Sequence, residues 1–376
     1  MTSLARFMRF LFLSKTDWHE PPRLRHQLAL LLARAGHEIV FVQRARLPWQ
    51  RLPDIGSVAP AVFAECSRQL IHHRLRRCPP MHGLNARYEC RHLKHIANRM
   101  RATPHDVIVN FNYDYYFLRK VFPDTPQILV VNDNHWTAPG GLSRNYQVWA
   151  LRRTLVESDL CIAVSSSLVR QTSGLCETEL FQPWADEPYA PVTHRAPPDT
   201  LLYWGFINDR IDWAFLSALS QELGVSSPET RIMLVGPLQC SRRQLAVLHR
   251  CTNIELQGAS RLSDIDLSRV LAGLIPYRLG DAHADEIEVP NKLFSLIARG
   301  LPILITGMPN HISPPFVFRL DAPGASILET IAHVRKHATG LQSAIRQFVE
   351  ANSGAVRLKT FMSLVARAKN AHLARH

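Results

Sequence analysis

Lys292 is the residue whose setting most clearly suggests chemistry. Pro290 can occupy the first turn of a helix, and the following segment keeps a helical pattern to about Arg299 and stops at Gly300. Lys292 then lies in that first turn, where unpaired backbone N–H groups and the helix dipole favour an anion. A diphosphate site is one interpretation. A solvent-exposed lysine on an amphipathic helix is the other.

Glycines follow several strand-like segments in the same half of the chain. Gly205 comes directly after the apolar run 201–204, Gly236 after 231–235, and Gly258 in the loop after 253–256. Ligands of parallel α/β sheets bind beyond the carboxyl ends of the strands, and glycine lets the backbone approach them closely. A simple turn explains a glycine at such a place equally well.

Asp133 is the carboxylate that the pattern best places to act as a base. It lies just past the strand-like run 127–131, in the first half of the chain. A carboxylate there could take a proton from a hydroxyl group as a bond forms to its oxygen. His135 is the alternative base beside it. Because Asp favours turns and caps, a structural role is the competing interpretation.

The loop after the first strand-like run, 10–13, carries further candidates. It contains Asp17 and Trp18, and Arg23 comes just before a helical pattern that begins at residue 24. These side chains are suited to binding a polar partner. Loop packing and helix capping explain them equally well.

The elements that must position these residues alternate as strand and helix in both halves. Short apolar runs fit strands buried on both faces of a parallel sheet, and segments with helical spacing separate them. A proline-rich break interrupts the alternation at 182–199, and 376 residues suffice for two domains. We expect a Rossmann-like domain over 1–185, a linker over 186–199, a second doubly wound domain over 200–340 and a helical tail over 341–376.

The segment around Lys292 resembles the donor-site signature of GT-B glycosyltransferases, P-x-K-x-x-E-x-x-A-x-G-x-P. Pro290, Lys292, Ala298, Gly300 and Pro302 occupy the matching positions. A Pro-Tyr pair also precedes the lysine, with Tyr277 fifteen residues before it. In this the segment is especially similar to the membrane-associated glucuronosyltransferase type of xanthan synthesis and to related exopolysaccharide transferases.

The resemblance implies an α/β GT-B architecture, with two Rossmann-like domains facing a cleft. The first domain would hold the acceptor and the second the nucleotide-sugar donor, and the tail would pack back toward the first domain. Lys292 would grip the donor diphosphate and Tyr277 would line the nucleotide pocket. The other residues that the resemblance assigns to the donor are Gly205, Ile207, Gly258, Glu286, Glu288, Asn291 and Ser295.

Ser295 departs from the signature, because the broader family has a ribose-binding glutamate at this position. A serine can still bond to a hydroxyl group, but it is neutral, so the resemblance leaves the nucleotide open. The departure also favours an alternative, a catalytically inactive GT-B scaffold.

On the acceptor side, the resemblance gives Asp133 the role of base in an inverting transfer, with His135 as fallback. Asp17, Trp18 and Arg23 would lie on the acceptor side. If the chain is closer to the large retaining group of GT-B enzymes, Asp133 loses the role of base.

Basic residues are concentrated between positions 66 and 101. The whole chain has a net charge of +13, and this region holds nine Lys or Arg against Glu89 alone. Apolar residues interleave with the charges, which fits adsorption to an anionic lipid surface. A solvated basic face and a nucleic-acid-binding surface are the alternatives. No apolar run long enough to span a membrane and no cleavable leader is evident, so we expect a cytoplasmic protein peripheral to the inner membrane.

The resemblance implies a bacterial, metal-independent glycosyltransferase of hexosyl or glycuronosyl type. It would move a sugar from a nucleotide diphosphate sugar, a UDP-sugar, to a glycan or lipid-linked saccharide in exopolysaccharide or cell-surface polysaccharide synthesis. We expect no cofactor, no metal and no nucleic-acid partner. The seven cysteines lack C-x-x-C spacing and fit free thiols rather than a zinc site. A basic nucleic-acid-binding protein is the alternative, favoured only by the net charge.

Overall fold

The computed structural model describes residues 7–20, 23–72, 75, 81–99, 105–136, 142–248, 250–280, 287–311, 314–322 and 326–375. The chain forms two compact units. Unit 1 comprises Met1–Gln182 and Leu358–His376, and unit 2 comprises Pro183–Arg357. The segment 186–199, expected as a linker, belongs to unit 2. There the N–H groups of Ala190 and Val192 donate to the carbonyl groups of Ala298 and Arg299, at 2.7 and 2.9 Å.

Unit 1 is built on one eight-stranded sheet. Its strands are β1 (Arg9–Leu13), β2 (Glu38–Arg46), β3 (Gly56–Ala59), β4 (Val62–Arg68), β5 (Val107–Asn110), β6 (Gln127–Val131), β7 (Leu160–Ala163) and β8 (Thr178–Leu180). The spatial order is β3-β4-β2-β1-β5-β6-β7-β8. Every pair is parallel except β3 with β4. The helices before the tail are α1 (Leu24–Arg34), α2 (Met81–Arg99), α3 (Leu118–Val121), α4 (Leu142–Glu157) and α5 (Ser166–Thr172).

The centre of this sheet follows from the apolar runs. Phe10, Leu11, Phe12 and Leu13 of β1 are each almost fully buried, as expected of a parallel strand covered on both faces. In α1 the leucines at helical spacing point into the core, and Gly36 follows with a φ of +88°. That backbone conformation suits glycine at the end of a helix.

The residue pattern of 113–122 predicts a helix, but the structure has only the short α3 in this segment. Asn112 N–H donates to Asn110 Oδ1 at 2.9 Å, and Asn110 Nδ2 donates to the Asn112 carbonyl at 3.1 Å. These side-chain bonds turn the backbone away from a helix directly after β5. The carbonyl of Tyr113 accepts from Thr154 Oγ1 at 2.7 Å, so it is also withdrawn from helical pairing.

Unit 2 has a six-stranded sheet in the order β11-β10-β9-β12-β13-β14. Its strands are β9 (Thr200–Trp204), β10 (Arg231–Val235), β11 (Ile254–Gln257), β12 (Val270–Pro276), β13 (Ile303–Thr306) and β14 (Val317–Arg319), all parallel. Its helices are α6 (Trp213–Ser226), α7 (Arg242–Leu248), α8 (Asn291–Ala298), α9 (Ile327–His337) and α10 (Gln342–Ala351). The order reverses at β9, so ligands are expected at the carboxyl ends of β9 and β12.

The tail helix α11 (Gly354–Arg375) completes unit 1 from the far end of the sequence. Phe361 is fully buried, with ring centres 6.3 Å from Phe10 and 5.8 Å from Phe181. Near the end of α11, His372 Nδ1 lies 3.3 Å from the buried carboxylate of Asp159. The tail is therefore part of the unit 1 core. Among the described residues, no helix combines the length and the apolar character needed to cross a membrane.

Candidate functional sites in the two units

In unit 2, Lys292 lies at the carboxyl end of the sheet. It is the second residue of α8, which begins after Pro290. Its Nζ lies 4.0 Å from the ring centre of Tyr203 and 5.1 Å from that of Tyr277. Tyr203 belongs to β9 and Tyr277 follows the neighbouring strand β12. The two rings hold the ammonium group by cation–π contacts at the first turn of α8.

The ammonium group of Lys292 is charged at neutral pH. Burial lowers the pKa of Lys292, but the phenol groups of Tyr277 and Tyr203 raise it by more, so the net pKa lies above its usual value. Burial raises the pKa of Tyr203, whose hydroxyl donates to the Phe206 carbonyl at 2.6 Å. Among the described residues no carboxylate forms an ion pair with Lys292. A cation without a counter-ion, in the first turn of a helix, suits an anionic ligand.

Two glycines bring the backbone close to this lysine. Gly205 has a φ of +143°, and a Cβ added there would lie 2.8 Å from Lys292 Nζ. Gly236 has a φ of +153°, and a Cβ added there would lie 1.9 Å from the Gly205 carbonyl oxygen. Both glycines follow strand-like runs in the sequence, but the resemblance assigns only Gly205 to the donor site. The feature of the sequence that could have indicated a role for Gly236 is its position directly after β10, the strand beside β9.

Three of the other predicted donor residues lie in or just before α8. Ser295 is half-buried, one turn after Lys292 on α8, and Asn291 is the half-buried first residue of that helix. Glu288 is buried just before α8. Glu286 lies outside the described residues.

Ile207 lies in the loop after β9 and Gly258 in the loop after β11. The Ile207 side chain is fully buried in the apolar core, its N–H donates to the Pro237 carbonyl, and its own carbonyl accepts from Gln239. Ile207 thus shapes the loop after β9 and has no group left to offer a ligand. Gly258 is exposed, and a Cβ there would meet nothing within 4 Å.

In unit 1, Asp133 and His135 follow β6. Asp133 is exposed and accepts a hydrogen bond from Asn132 Nδ2 at 3.2 Å. His135 is half-buried, with its ring centre 4.3 Å from that of Tyr113. Burial lowers the pKa of His135 to about 4, against the opposing effect of the Asp133 carboxylate. His135 is therefore neutral at pH 7, and Asp133 is the more accessible proton acceptor.

Sequence analysis missed an ion pair at the same edge of the sheet. Lys15 follows β1 and its Nζ lies 2.8 Å from Asp114 Oδ1, with Asp114 almost fully buried in the loop after β5. The same Nζ lies 3.6 Å above the ring of Tyr113. Lys15 and Asp114 are distant in sequence, and only the pairing of β1 with β5 brings them together.

The contacts of the acceptor-side candidates Asp17 and Trp18 fit the competing interpretation, which is loop packing. Asp17 forms an ion pair with Arg46 of β2. The Trp18 ring lies 5.1 Å from that of Phe41. The backbone N–H of Trp18 donates to Gln43 Oε1 at 2.9 Å.

Arg23 lies at the N-cap position of α1 and is exposed. Its guanidinium is 3.8 Å from Glu20, at the outer limit of an ion pair. Over the described ranges, no group of three or more His, Cys, Asp or Glu side chains is arranged to hold a metal ion.

Solved structures of the same architecture include sucrose-phosphate synthase from Thermosynechococcus elongatus. It is 13% identical, the match covers 96% of this chain and 98% of that one, and the TM-score is 0.71. The chain has the GT-B fold. Two further GT-B structures match over nearly their whole length. Anabaena HepE, in complex with UDP and glucose, is 11% identical over 96% of this chain and 99% of its own, with a TM-score of 0.60.

The lipopolysaccharide outer core galactosyltransferase WaaB is 12% identical over 98% of this chain and 100% of its own, with a TM-score of 0.58. No protein-family model and no curated protein matches the sequence. The likeness of this GT-B chain to its neighbours is thus one of fold.

Proposed function

We propose that this GT-B protein is a glycosyltransferase that uses a nucleotide diphosphate sugar, with UDP as the nucleotide. The observation that carries the proposal is Lys292, a charged ammonium without a counter-ion in the described chain, at the first turn of α8. A donor diphosphate matches that charge. The UDP and glucose bound by HepE support the choice of donor.

Lys292 would act on the leaving group. As the bond between the sugar anomeric carbon and the diphosphate oxygen breaks, negative charge develops on the diphosphate. The ammonium of Lys292 and the first turn of α8 would stabilise that charge. The absence of a side chain at Gly205 lets the backbone approach the lysine closely. We propose that this cationic site serves in place of a metal ion and that no cofactor is needed.

Asp133 would act on the acceptor. A hydroxyl of the acceptor attacks the anomeric carbon, its proton passes to the Asp133 carboxylate, and UDP leaves. A single displacement of this kind inverts the anomeric configuration. His135 is the fallback base, because its neutral imidazole can also accept a proton.

The acceptor would be a glycan or lipid-linked saccharide of bacterial exopolysaccharide or cell-surface polysaccharide, as in the xanthan-type enzymes that the sequence resembles. The fold shared with WaaB, a galactosyltransferase of the lipopolysaccharide outer core, is compatible with this class.

Helix α2 supports attachment to the inner face of an anionic membrane. Arg87, Arg91 and Lys94 are exposed and follow one another at helical spacing, while Leu93 and Ile96 are buried. Exposed Leu84 adds apolar surface near the basic stripe. Such a face fits adsorption to anionic lipid, at about 1 kcal/mol per basic residue near the surface.

Nucleotide binding tests the donor site. Thermal unfolding with UDP, GDP and ADP would be compared for the wild type, Lys292→Met and the control Lys336→Met, an exposed lysine of α9. We expect a shift with UDP, since a ligand at 100 times its Kd stabilises the folded state by about 2.7 kcal/mol. The shift should vanish in Lys292→Met and persist in the control. No nucleotide shift in the wild type, or an equal shift in Lys292→Met, would contradict the proposal.

Activity and membrane binding are tested separately. A panel of UDP-sugars with EDTA present should give transfer, and dependence on an added metal would contradict the metal-independent mechanism.

Vesicles of phosphatidylglycerol should sediment the protein and vesicles of phosphatidylcholine should not. Reversing the charges of Arg87, Arg91 and Lys94 should abolish sedimentation. Tighter binding to a polynucleotide than to the anionic vesicles would favour the nucleic-acid alternative.

A further inference from the structure

Arg25 has an unusual environment for a charged side chain. It is the second residue of α1, and only 5% of it is exposed. Its guanidinium carbon lies 5.3 Å from the ring centre of Phe111, directly after β5. Across the described part of the chain the guanidinium has no hydrogen bond and no ion pair, and its Nε is fully buried. A buried N–H donor without an acceptor is costly, and the Nε–H of Arg25 is such a donor, so this side chain is suited to a partner from outside the chain.

The surrounding charges are already paired, which sets Arg25 apart. The neighbouring pairs are Lys15 with Asp114, Arg44 with Glu20, and Arg46 with Asp17. Burial lowers the pKa of Arg25 to about 10, with Arg23 acting in the same direction and Asp133 and Glu20 opposing it. Arg25 therefore stays cationic at neutral pH. Asp133 interacts with it through space but is not within ion-pair distance of it.

The N-terminus of α1 adds to the attraction for an anion. The first turn of this eleven-residue helix contains no acidic side chain. Unpaired N–H groups and the helix dipole make such an end favourable for negative charge. Helical side chains lean toward the N-terminus, so the Arg25 guanidinium and these N–H groups share one end of the helix.

We propose that Arg25 and the first turn of α1 bind a phosphate group, and that this phosphate belongs to the glycosyl acceptor. The guanidinium fork matches a phosphate with two parallel hydrogen bonds. Phe111, which the Arg25 guanidinium contacts, and Asp133 follow the neighbouring strands β5 and β6, so the bound phosphate would lie at the sheet edge that carries the proposed base and would orient the acceptor hydroxyl. The assignment to the acceptor rests on the proposed function; the phosphate site itself does not.

Phosphate binding to the full chain tests the site. Inorganic phosphate would be titrated by calorimetry into a Lys292→Met background, which removes the donor-site cation. In that background the comparison is between Arg25→Met, Arg25→Lys and Arg34→Met. Arg34 is an exposed arginine at the other end of α1, so its substitution is the matched control.

We expect millimolar phosphate binding that Arg25→Met weakens at least tenfold and Arg34→Met leaves unchanged. Arg25→Lys should lie between, because lysine keeps the charge but not the fork. Without phosphate, Arg25→Met should have a higher Tm than its parent, since an unpaired buried charge is removed. Equal phosphate affinity in Arg25→Met and its parent, or a lower Tm of the phosphate-free variant, would overturn the proposal.

The source of the phosphate is resolved by two further probes in the same background. Glucose 6-phosphate represents a sugar phosphomonoester, and farnesyl diphosphate represents a lipid diphosphate. Tighter Arg25-dependent binding of either one supports the proposal and identifies the class of acceptor. If UDP fails to bind the wild type while phosphate binding still depends on Arg25, the donor assignment fails and the phosphate site stands. If neither organic phosphate binds better than inorganic phosphate, the assignment to the acceptor is overturned.

Discussion

The two candidate sites both lie at the carboxyl ends of parallel strands. They differ in whether backbone or side chains form most of the site. In unit 2 the site is mostly backbone, with glycines at the ends of β9 and β10 around one lysine held by two tyrosines. In unit 1 it is mostly side chains, with Asp133, His135, Arg25 and the Lys15–Asp114 pair contributed by separate segments. Under the proposed function, backbone suits a group common to all donors, the diphosphate, whereas side chains can distinguish one acceptor from another.

The largest effect is expected when the proposed base of unit 1, Asp133, is removed and unit 2 is left intact. Asp133→Asn should lower kcat by about 10²–10⁴-fold, the usual contribution of a general base, while the Kd for UDP stays unchanged. Steady-state rates and calorimetry measure the two quantities. Asp124→Asn, an exposed aspartate of the same unit, is the control. If Asp133→Asn kept the wild-type rate, Asp133 would not be the base.

A second test concerns the glycine backbone of unit 2. Gly236→Ala places a methyl group 1.9 Å from the Gly205 carbonyl oxygen at a positive φ, so the loop after β10 must shift. We expect a loss of about 3 kcal/mol or more in the free energy of unfolding and loss of UDP binding. Gly258→Ala, which meets nothing within 4 Å, should lose little stability. Urea denaturation compares the two variants, and equal midpoints would contradict a tightly packed site.

Acid should lower the stability of the two units by different amounts. The pKa values of His26, His105 and His135 in unit 1 and of His311 in unit 2 are each lowered to about 4, chiefly by burial. The unfolded chain binds protons at these groups near pH 6.5 and the folded chain does not, so stability falls as pH drops from about 6.5 toward 4.

Between pH 7 and 5.5 the loss is about 1 kcal/mol for each such histidine, and unit 1 should lose more than unit 2. Calorimetric scans at the two pH values measure it. His26→Gln should weaken the pH dependence by about one proton, because His26 Nδ1 accepts from Arg23 N–H at 3.1 Å only when unprotonated. If the stability of the variant and of the wild type changed equally with pH, the pKa of His26 would not be lowered in the folded protein.

The smallest effect is expected at Ser295. A neutral hydroxyl contributes about 0.5–1.5 kcal/mol through one hydrogen bond, so Ser295→Ala should weaken UDP binding no more than about tenfold. Uridine binding should weaken by the same factor if the serine contacts the ribose. A hundredfold loss would mean that Ser295 does more than replace the glutamate of the signature.

Sequence predicted the two sites unequally, for a physical reason. Lys292, its helix and the following strand lie within one short segment, so local pattern sufficed; α8 begins one residue after Pro290, as expected. The Lys15–Asp114 pair and the position of Arg25 depend on which strands are neighbours, which local pattern does not specify. The segment 113–122 misled for a related reason, since the side chains of Asn110 and Asn112 compete for the backbone.

The burial of Phe361 against Phe10 and Phe181 has a consequence for synthesis on the ribosome. Most of unit 1 precedes unit 2 in the sequence, yet its core lacks one component until α11 is translated. At about 5–20 residues per second, the interval between residues 182 and 361 is on the order of 10–40 s. During that interval the nascent unit 1 exposes the apolar surface that α11 later covers, while unit 2 can complete nearly all of its chain. A helix made after unit 2 thus completes the domain begun before it, and chaperone dependence should be greatest for chains truncated before α11.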